Sequence, residues 1–261
     1  MSSFKRTTMK TRILNQLQEI ETNNQLKILY ACESGSRGWQ FPSPDSDFDV
    51  RFIYIRSANF YLSVAEKQDH LGFPINDELD IYGWDLKKVL QLTAKSNTTP
   101  FEWLQSPIVY SEVAGFRSEL WALCQHFFSQ RINTNHYLGI GKSAMSTITD
   151  NNEISIKKLF YVLRPLLAAK WCLEKNGIAA MTIDPLLELM PQNLQEMVQD
   201  LVIFKTTTVE ALAVKIDEDL KNWIEREFEL CSEAVKIIEQ TKFDYGLLDT
   251  FFLKMIKAYD N

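Results

Sequence analysis

The sequence predicts an α+β protein: a small sheet domain over residues 1–110 followed by an all-helical domain over 111–261. Two observations carry that division. Before residue 110, three short runs rich in strand formers are separated by turn residues. After it, successive segments repeat their apolar residues at the 3.6-residue spacing of a helix. A third observation is length, since 261 residues can bury either one large core or two modest ones.

Leu14, Leu17 and Ile20 recur at helical spacing, so residues 9–22 are expected to form an amphipathic helix ending at Thr22-Asn23-Asn24. Leu26 to Cys32 is an apolar strand closed by the turn-like Ser34-Gly35-Ser36. Residues 38–46 (GWQFPSPDS) hold two prolines and small polar residues, which marks a loop. Asp49 to Ile55 is the second strand. Glu78 to Trp84, alternating acidic with apolar residues, is the third. Asp85 then caps a helix running to about Lys95. Helices are expected over 114–129, 133–148, 153–176, 185–203, 208–240 and 246–259, with Phe228, Cys231, Val235 and Ile238 setting the period in the longest. No strand is expected after residue 111.

Hydrophobic residues make up 46% and charged residues 24%, a balance that fits a globular protein and excludes a disordered one. No apolar run reaches the roughly 20 residues needed to cross a bilayer, so no membrane partner is expected. The N-terminus MSSFKRTTMK leads into polar, helix-patterned sequence and does not read as a signal peptide, which makes a cytoplasmic location the expectation. A net charge of −6 argues against broad coating of nucleic acid and leaves room for a local basic groove. Cys32, Cys124, Cys172 and Cys231 show no C-x-x-C spacing and are expected to be isolated buried thiols in a reducing compartment. His70, His126 and His136 are equally scattered and suggest neither a metal centre nor a triad.

The chemistry concentrates in Gly35-Ser36-Arg37-Gly38, in Asp47-Phe48-Asp49 at the head of a strand, and in Asp80 on the next strand. Residues i and i+2 of a strand project from one face, so Asp47 and Asp49 present two carboxylates side by side. Two such charges repel unless a cation lies between them, and oxygen ligands without His or Cys favour Mg²⁺ (or Mn²⁺) completed by substrate phosphates. The Gly-Ser turn offers close backbone approach, exposed N–H groups and a hydroxyl, as a triphosphate requires. Asp80 would complete a two-metal site. Glu78, on the same strand face, competes with Asp80 for that role, and Asp77 lies close by. Asp45 is a weaker rival of Asp47, falling in the loop before the strand. Taken singly, the Gly-Ser dipeptide is a common turn and D-S-D-F-D a solvated loop; only their order along the chain argues for a site.

The segment ACESGSRGWQFPSPDSDFDVRFIYI resembles the G-S-x-n-D-x-D signature of the DNA-polymerase-β-like nucleotidyltransferase superfamily. With ELDIYGWDL, KSNTTPFEWLQSPIVY and KKLFYVLRPLLAAKW, it is similar to the bacterial and phage branch of RNA-ligase-associated nucleotidyltransferases, over roughly residues 27–175. The resemblance implies a polymerase-β-type nucleotidyltransferase sheet domain in which Gly35 and Ser36 bind the triphosphate, Asp47 and Asp49 hold both metals, and Asp80 binds the metal of the attacking hydroxyl. It implies transfer of a nucleoside monophosphate from an NTP such as ATP to a hydroxyl acceptor, with release of pyrophosphate. The superfamily's acceptors include nucleic acids, proteins and small molecules, so an RNA end is one acceptor among several. A non-catalytic nucleotide-binding or interaction module on the same fold is the competing reading.

Arg37 is a candidate for the β- or γ-phosphate, with a surface salt bridge as its competing role. Asn97, Glu102 and Trp103 lie in the block joining the domains, where Trp103 is expected to pack. Lys157, Tyr161 and Arg164 fall at i, i+4 and i+7 of one helix and hence on one face. That face is a candidate for nucleotide binding, with phosphate charge and a stacking ring; a solvated amphipathic face is the alternative. Gly139 to Ser143 resembles a phosphate loop only at its end, because the P-loop needs glycine where His136 stands.

Overall fold

The computed structural model describes residues 3–75, 78–149 and 151–260, with side chains described from residue 8 onward. The described chain forms two compact units. The first comprises residues up to Gly38, Asp47–Phe127 and the segment from Phe243; the second comprises Trp39–Ser46 and Phe128–Lys242. Where a single boundary was expected at 110, the chain crosses between the units four times, at 38/39, 46/47, 127/128 and 242/243.

The first unit contains α1 (Ser3–Asn24), β1 (Lys27–Glu33), one helical turn α2 (Gly35–Gly38), β2 (Phe48–Ile55), α3 (Ala58–Tyr61), β3 (His70–Gly72), β4 (Leu79–Asp85), α4 (Leu86–Ala94), α5 (Thr98–Gln105), β5 (Val109–Glu112), α6 (Phe116–His126) and a last helix, Gly246–Tyr259. The strands form one sheet in the order β3-β4-β2-β1-β5, in which β2 and β4 run parallel and the other neighbours antiparallel. Alternation along the strands assigns the two faces. Leu79 and Ile81 of β4 and Val50 and Phe52 of β2 turn to one side, where Ile13, Leu17 and Ile20 of α1 cover them. Each such buried aliphatic or aromatic side chain contributes roughly 1.5–3 kcal/mol. Gly83 is required because a Cβ there would stand 2.2 Å from the Phe52 ring. On the opposite face Trp84 stacks on Trp103 of α5 at 4.3 Å. Tyr30 donates its hydroxyl to the Trp103 carbonyl at 2.9 Å, so Trp103 packs as expected. Asp85 caps α4, accepting from the Lys87 amide at 2.8 Å, and Asn97 caps α5.

The second unit is built around α8 (Ile156–Lys175), flanked by α7 (Gln130–Met145) and followed by α9 (Ile183–Leu187), α10 (Gln192–Lys205) and α11 (Glu218–Ala234). Leu159, Phe160, Leu163, Leu166 and Leu167 make α8 apolar nearly all round, the pattern of a buried helix. They share a core with Tyr137 of α7 and Leu220, Ile224 and Phe228 of α11. Residues 39–46, most of the loop expected over 38–46, belong to this unit, and Phe41 enters its core. Phe41 stacks on Phe160 at 4.7 Å, and the buried Lys205 ammonium donates to Ser43 Oγ at 3.0 Å.

Several elements differ from expectation. β6 (Glu153–Ser155) and β7 (Ala213–Lys215) pair antiparallel where no strand was expected; three residues are too few to show a period. The helix expected over 185–203 breaks into α9 and α10 at Pro191, which lacks an N–H and disfavours helix in the residue before it. The long helix expected over 208–240 begins only at Asp217, whose carboxylate caps α11. α5, β3 and β5 were not foreseen. The last helix has its expected bounds but packs in the first unit, with Phe251 against Phe116 and Phe252 against Tyr61. The four cysteines are buried free thiols; burial pushes Cys32, Cys124 and Cys172 up to about 12. Among the described residues no helix is long and apolar enough to cross a membrane.

Candidate active site

The apolar strand β1 delivers the chain to Ser34, whose amide donates to the Asp49 carbonyl at 2.8 Å. The backbone then turns sharply at Gly35, with φ +55°, into the single helical turn of α2. A Cβ at position 35 would lie 2.0 Å from Asp49 Oδ2, so the Gly-Ser turn and the second aspartate of Asp-x-Asp are in direct contact. Ser36 is half-buried at the tip of this turn.

Parallel pairing of β2 with β4 sets Asp49 opposite Asp80 in register. Their carboxylates share one cation. Arg51, two residues beyond Asp49 and on its face, donates from Nη2 to Asp49 Oδ1 at 2.9 Å and to Asp80 Oδ2 at 2.7 Å. Its Nη1 donates to the carbonyls of Val50 and Asp80, each at 3.1 Å. Asp47 precedes the strand and is exposed. Glu78 is exposed as well, so register brings Asp80 rather than Glu78 beside Asp49. Asp45 belongs to the second unit, where its carboxylate accepts from the Glu210 amide at 3.1 Å; that removes it as a rival of Asp47. Asp77 lies outside the described residues.

Arg37 is only 8% exposed. Its Nε donates to the Asp47 carbonyl at 2.9 Å and its guanidinium lies 3.9 Å over the Phe48 ring. The residue expected at a phosphate therefore lies under the turn and ties it to the head of β2. Two further residues emerge that the sequence did not single out. Arg51 is one; a cation spaced i+2 from Asp49 was its only signal. Glu33 is the other, fully buried at the end of β1. Glu33 accepts the Asp49 amide at 2.8 Å and the Tyr110 hydroxyl. Burial pushes its carboxyl up to about 7, opposed by those two hydrogen bonds.

Among the described residues no three His, Cys, Asp or Glu side chains are grouped to hold a metal on protein ligands alone. The Asp49–Asp80 pair nonetheless fits Mg²⁺ by its chemistry: two hard carboxylates, already bridged by a cation, which substrate phosphates would complete.

In the second unit, Lys157 pairs with Glu210 at 2.5 Å and its side chain is 47% exposed. Tyr161 stands edge-on to Trp39 at 5.3 Å. Arg164 is 2% exposed, donating from Nε to the Met181 carbonyl at 2.9 Å with its guanidinium 4.6 Å over Trp39. The expected common face is thus divided, because Trp39 and Phe41 cover its C-terminal end and leave Arg164 no surface for a nucleotide. Residues 139–143 lie inside α7, consistent with the absence of a P-loop.

Residues 9–254 match the RNA repair pathway DNA polymerase beta family (RlaP). A Bacillus subtilis (strain 168) protein, described only as uncharacterized protein YcgL, is 39% identical over 239 residues, covering 90% of this chain and 92% of its own. A nucleotidyltransferase-like protein of known structure from Exiguobacterium sibiricum 255-15 aligns with 95% of this chain and 81% of its own at 12% identity, with a TM-score of 0.32. Matched across nearly its whole length, this chain belongs to the RNA repair pathway DNA polymerase beta family, a polymerase-β-like nucleotidyltransferase family.

Proposed function

We propose that this protein transfers a nucleoside monophosphate from an NTP to a hydroxyl acceptor in an RNA-repair setting, with an RNA end as the acceptor. The observation that supports this best is the junction of Gly35, Asp49 and Asp80: a phosphate-type turn in contact with one of two in-register carboxylates. The Gly35-Ser36 backbone amides and the Ser36 hydroxyl grip the triphosphate, and Arg37 beneath the turn adds positive potential. Asp47, Asp49 and Asp80 are the residues that would hold Mg²⁺ or Mn²⁺. Held there, a divalent ion would supply charge neutralisation of the triphosphate and easier ionisation of the acceptor hydroxyl. The acceptor oxygen attacks the α-phosphorus while the bond to the β-phosphate oxygen breaks. Pyrophosphate leaves with that electron pair and the hydroxyl proton passes to Asp80. In the second unit, Lys157 and Tyr161 are the members of the expected trio that remain candidates for nucleotide contact. Cytoplasmic action fits this substrate.

One observation favours a nucleotide-binding module without turnover, namely that Arg51 pairs with both Asp49 and Asp80. Incubation with labelled NTPs and a mixed pool of RNA, protein and metabolites separates the two. A labelled acceptor and released pyrophosphate, both lost in Asp49→Asn, support the transferase; NTP binding with no labelled product in any pool overturns it. Calorimetry with and without a nonhydrolysable NTP adds a second check, the expected result being metal binding that tightens with nucleotide.

A further inference from the structure

The Arg51 guanidinium is held on four sides: by both carboxylates through Nη2 and by two strand carbonyls through Nη1. Its side chain is 17% exposed, less than the 26% of Asp49 or the 28% of Asp80. This is a built position on the sheet, not a flexible surface pair. Two carboxylates fixed opposite each other by strand register repel unless a positive charge stands between them. Here Arg51 supplies that charge.

We propose that Arg51 is the resident counter-cation of the Asp49–Asp80 pair, which it holds in place until metal arrives and with which the metal must compete. Resting on the metal-dependent reading above, this makes Arg51 a positioning residue. Asp49 and Asp80 are the carboxylates that would hold a divalent ion, and Arg51 Nη2 would have to release them for it. The guanidinium keeps its charge and its Nη1 bonds to the strand carbonyls, so Nη2 turns outward with free N–H donors. Weak binding of metal alone and tighter binding with nucleotide follow, because phosphate oxygens then accept the donors that the carboxylates release.

The test measures Mn²⁺ binding by electron paramagnetic resonance, with no turnover involved, in wild type, Arg51→Gln and Arg51→Lys. Arg51→Gln removes the competitor, so Mn²⁺ alone is expected to bind at least tenfold tighter, while the metal-free protein unfolds at a lower temperature and recovers more on adding Mn²⁺. Arg51→Lys, which keeps the charge but not the fork, should fall between. Equal or weaker Mn²⁺ binding by a folded Arg51→Gln overturns the inference and leaves the metal-dependent reading standing. No Mn²⁺ binding in any protein, even with a nonhydrolysable NTP, overturns both. Should Arg51→Gln fail to fold, ¹⁵N spectra of the wild-type guanidinium decide. Mg²⁺ is expected to free its hindered rotation, and unchanged signals at saturating Mg²⁺ refute the competition.

Discussion

The Asp49 carboxylate closes over Gly35 so tightly that a Cβ at position 35 would stand 2.0 Å from Oδ2, at a backbone φ of +55°. A strained left-handed residue costs on the order of 1–3 kcal/mol, and the clash adds displacement of Asp49 from Arg51. Gly35→Ala is therefore expected to lower the urea midpoint and to weaken NTP binding together. Retention of both would show that the turn does not need its contact with Asp49.

Strand register distinguishes Asp80, inside β4 and opposite Asp49, from Glu78, which precedes that strand. Asp80→Asn should lower the transfer rate on the order of 10³-fold, whereas Glu78→Gln should stay within about threefold of wild type. Single-turnover rates at saturating NTP measure the contrast. The reverse order would assign the third carboxylate to Glu78.

Asp85 gives a pH dependence away from the site. Burial pushes its carboxyl up to about 6, opposed by the Lys87 amide and the Tyr61 hydroxyl. Because the folded value lies above the ordinary one of 3.8, the native state binds the proton more tightly. The associated stability is fully present below pH ~4 and is lost as pH rises through ~6. Asp85→Asn keeps the capping oxygen and has no charge to bury. Its stability relative to wild type should rise by roughly 2–3 kcal/mol between pH 4 and 7. Parallel pH profiles in denaturant titrations would contradict the assignment.

Arg164 and Lys157 share a helix face but not an environment. Removing the buried Arg164 in Arg164→Leu leaves the Met181 carbonyl without its donor and Trp39 without its cation, a loss of roughly 2–4 kcal/mol. Lys157→Ala breaks a half-exposed ion pair and should cost within about 1 kcal/mol. Urea unfolding of the two variants measures the difference, and equal losses would place both on the surface.

Much of the site was legible because its signals are local. Gly35-Ser36, Asp47-x-Asp49 and the acidic third strand read directly from spacing, and so did the Asp85 cap and the final helix. The roles of Arg37 and Arg164 were not legible, since each guanidinium lies over an aromatic ring that no helix or strand period pairs with it, Phe48 in one case and Trp39 in the other.

The sequence by itself determined the class of the protein, the motif and the helical spacing of its later segments, because strand and helix periods and turn residues act over a few neighbours. Tertiary structure alone decided that Asp80 stands opposite Asp49 with Arg51 between them, that Glu33 is buried beneath them, and that residues 39–46 belong to the helical unit. These outcomes depend on pairing register and on which apolar face finds which partner. Both are set by contacts between residues far apart in the chain, which local patterning does not encode.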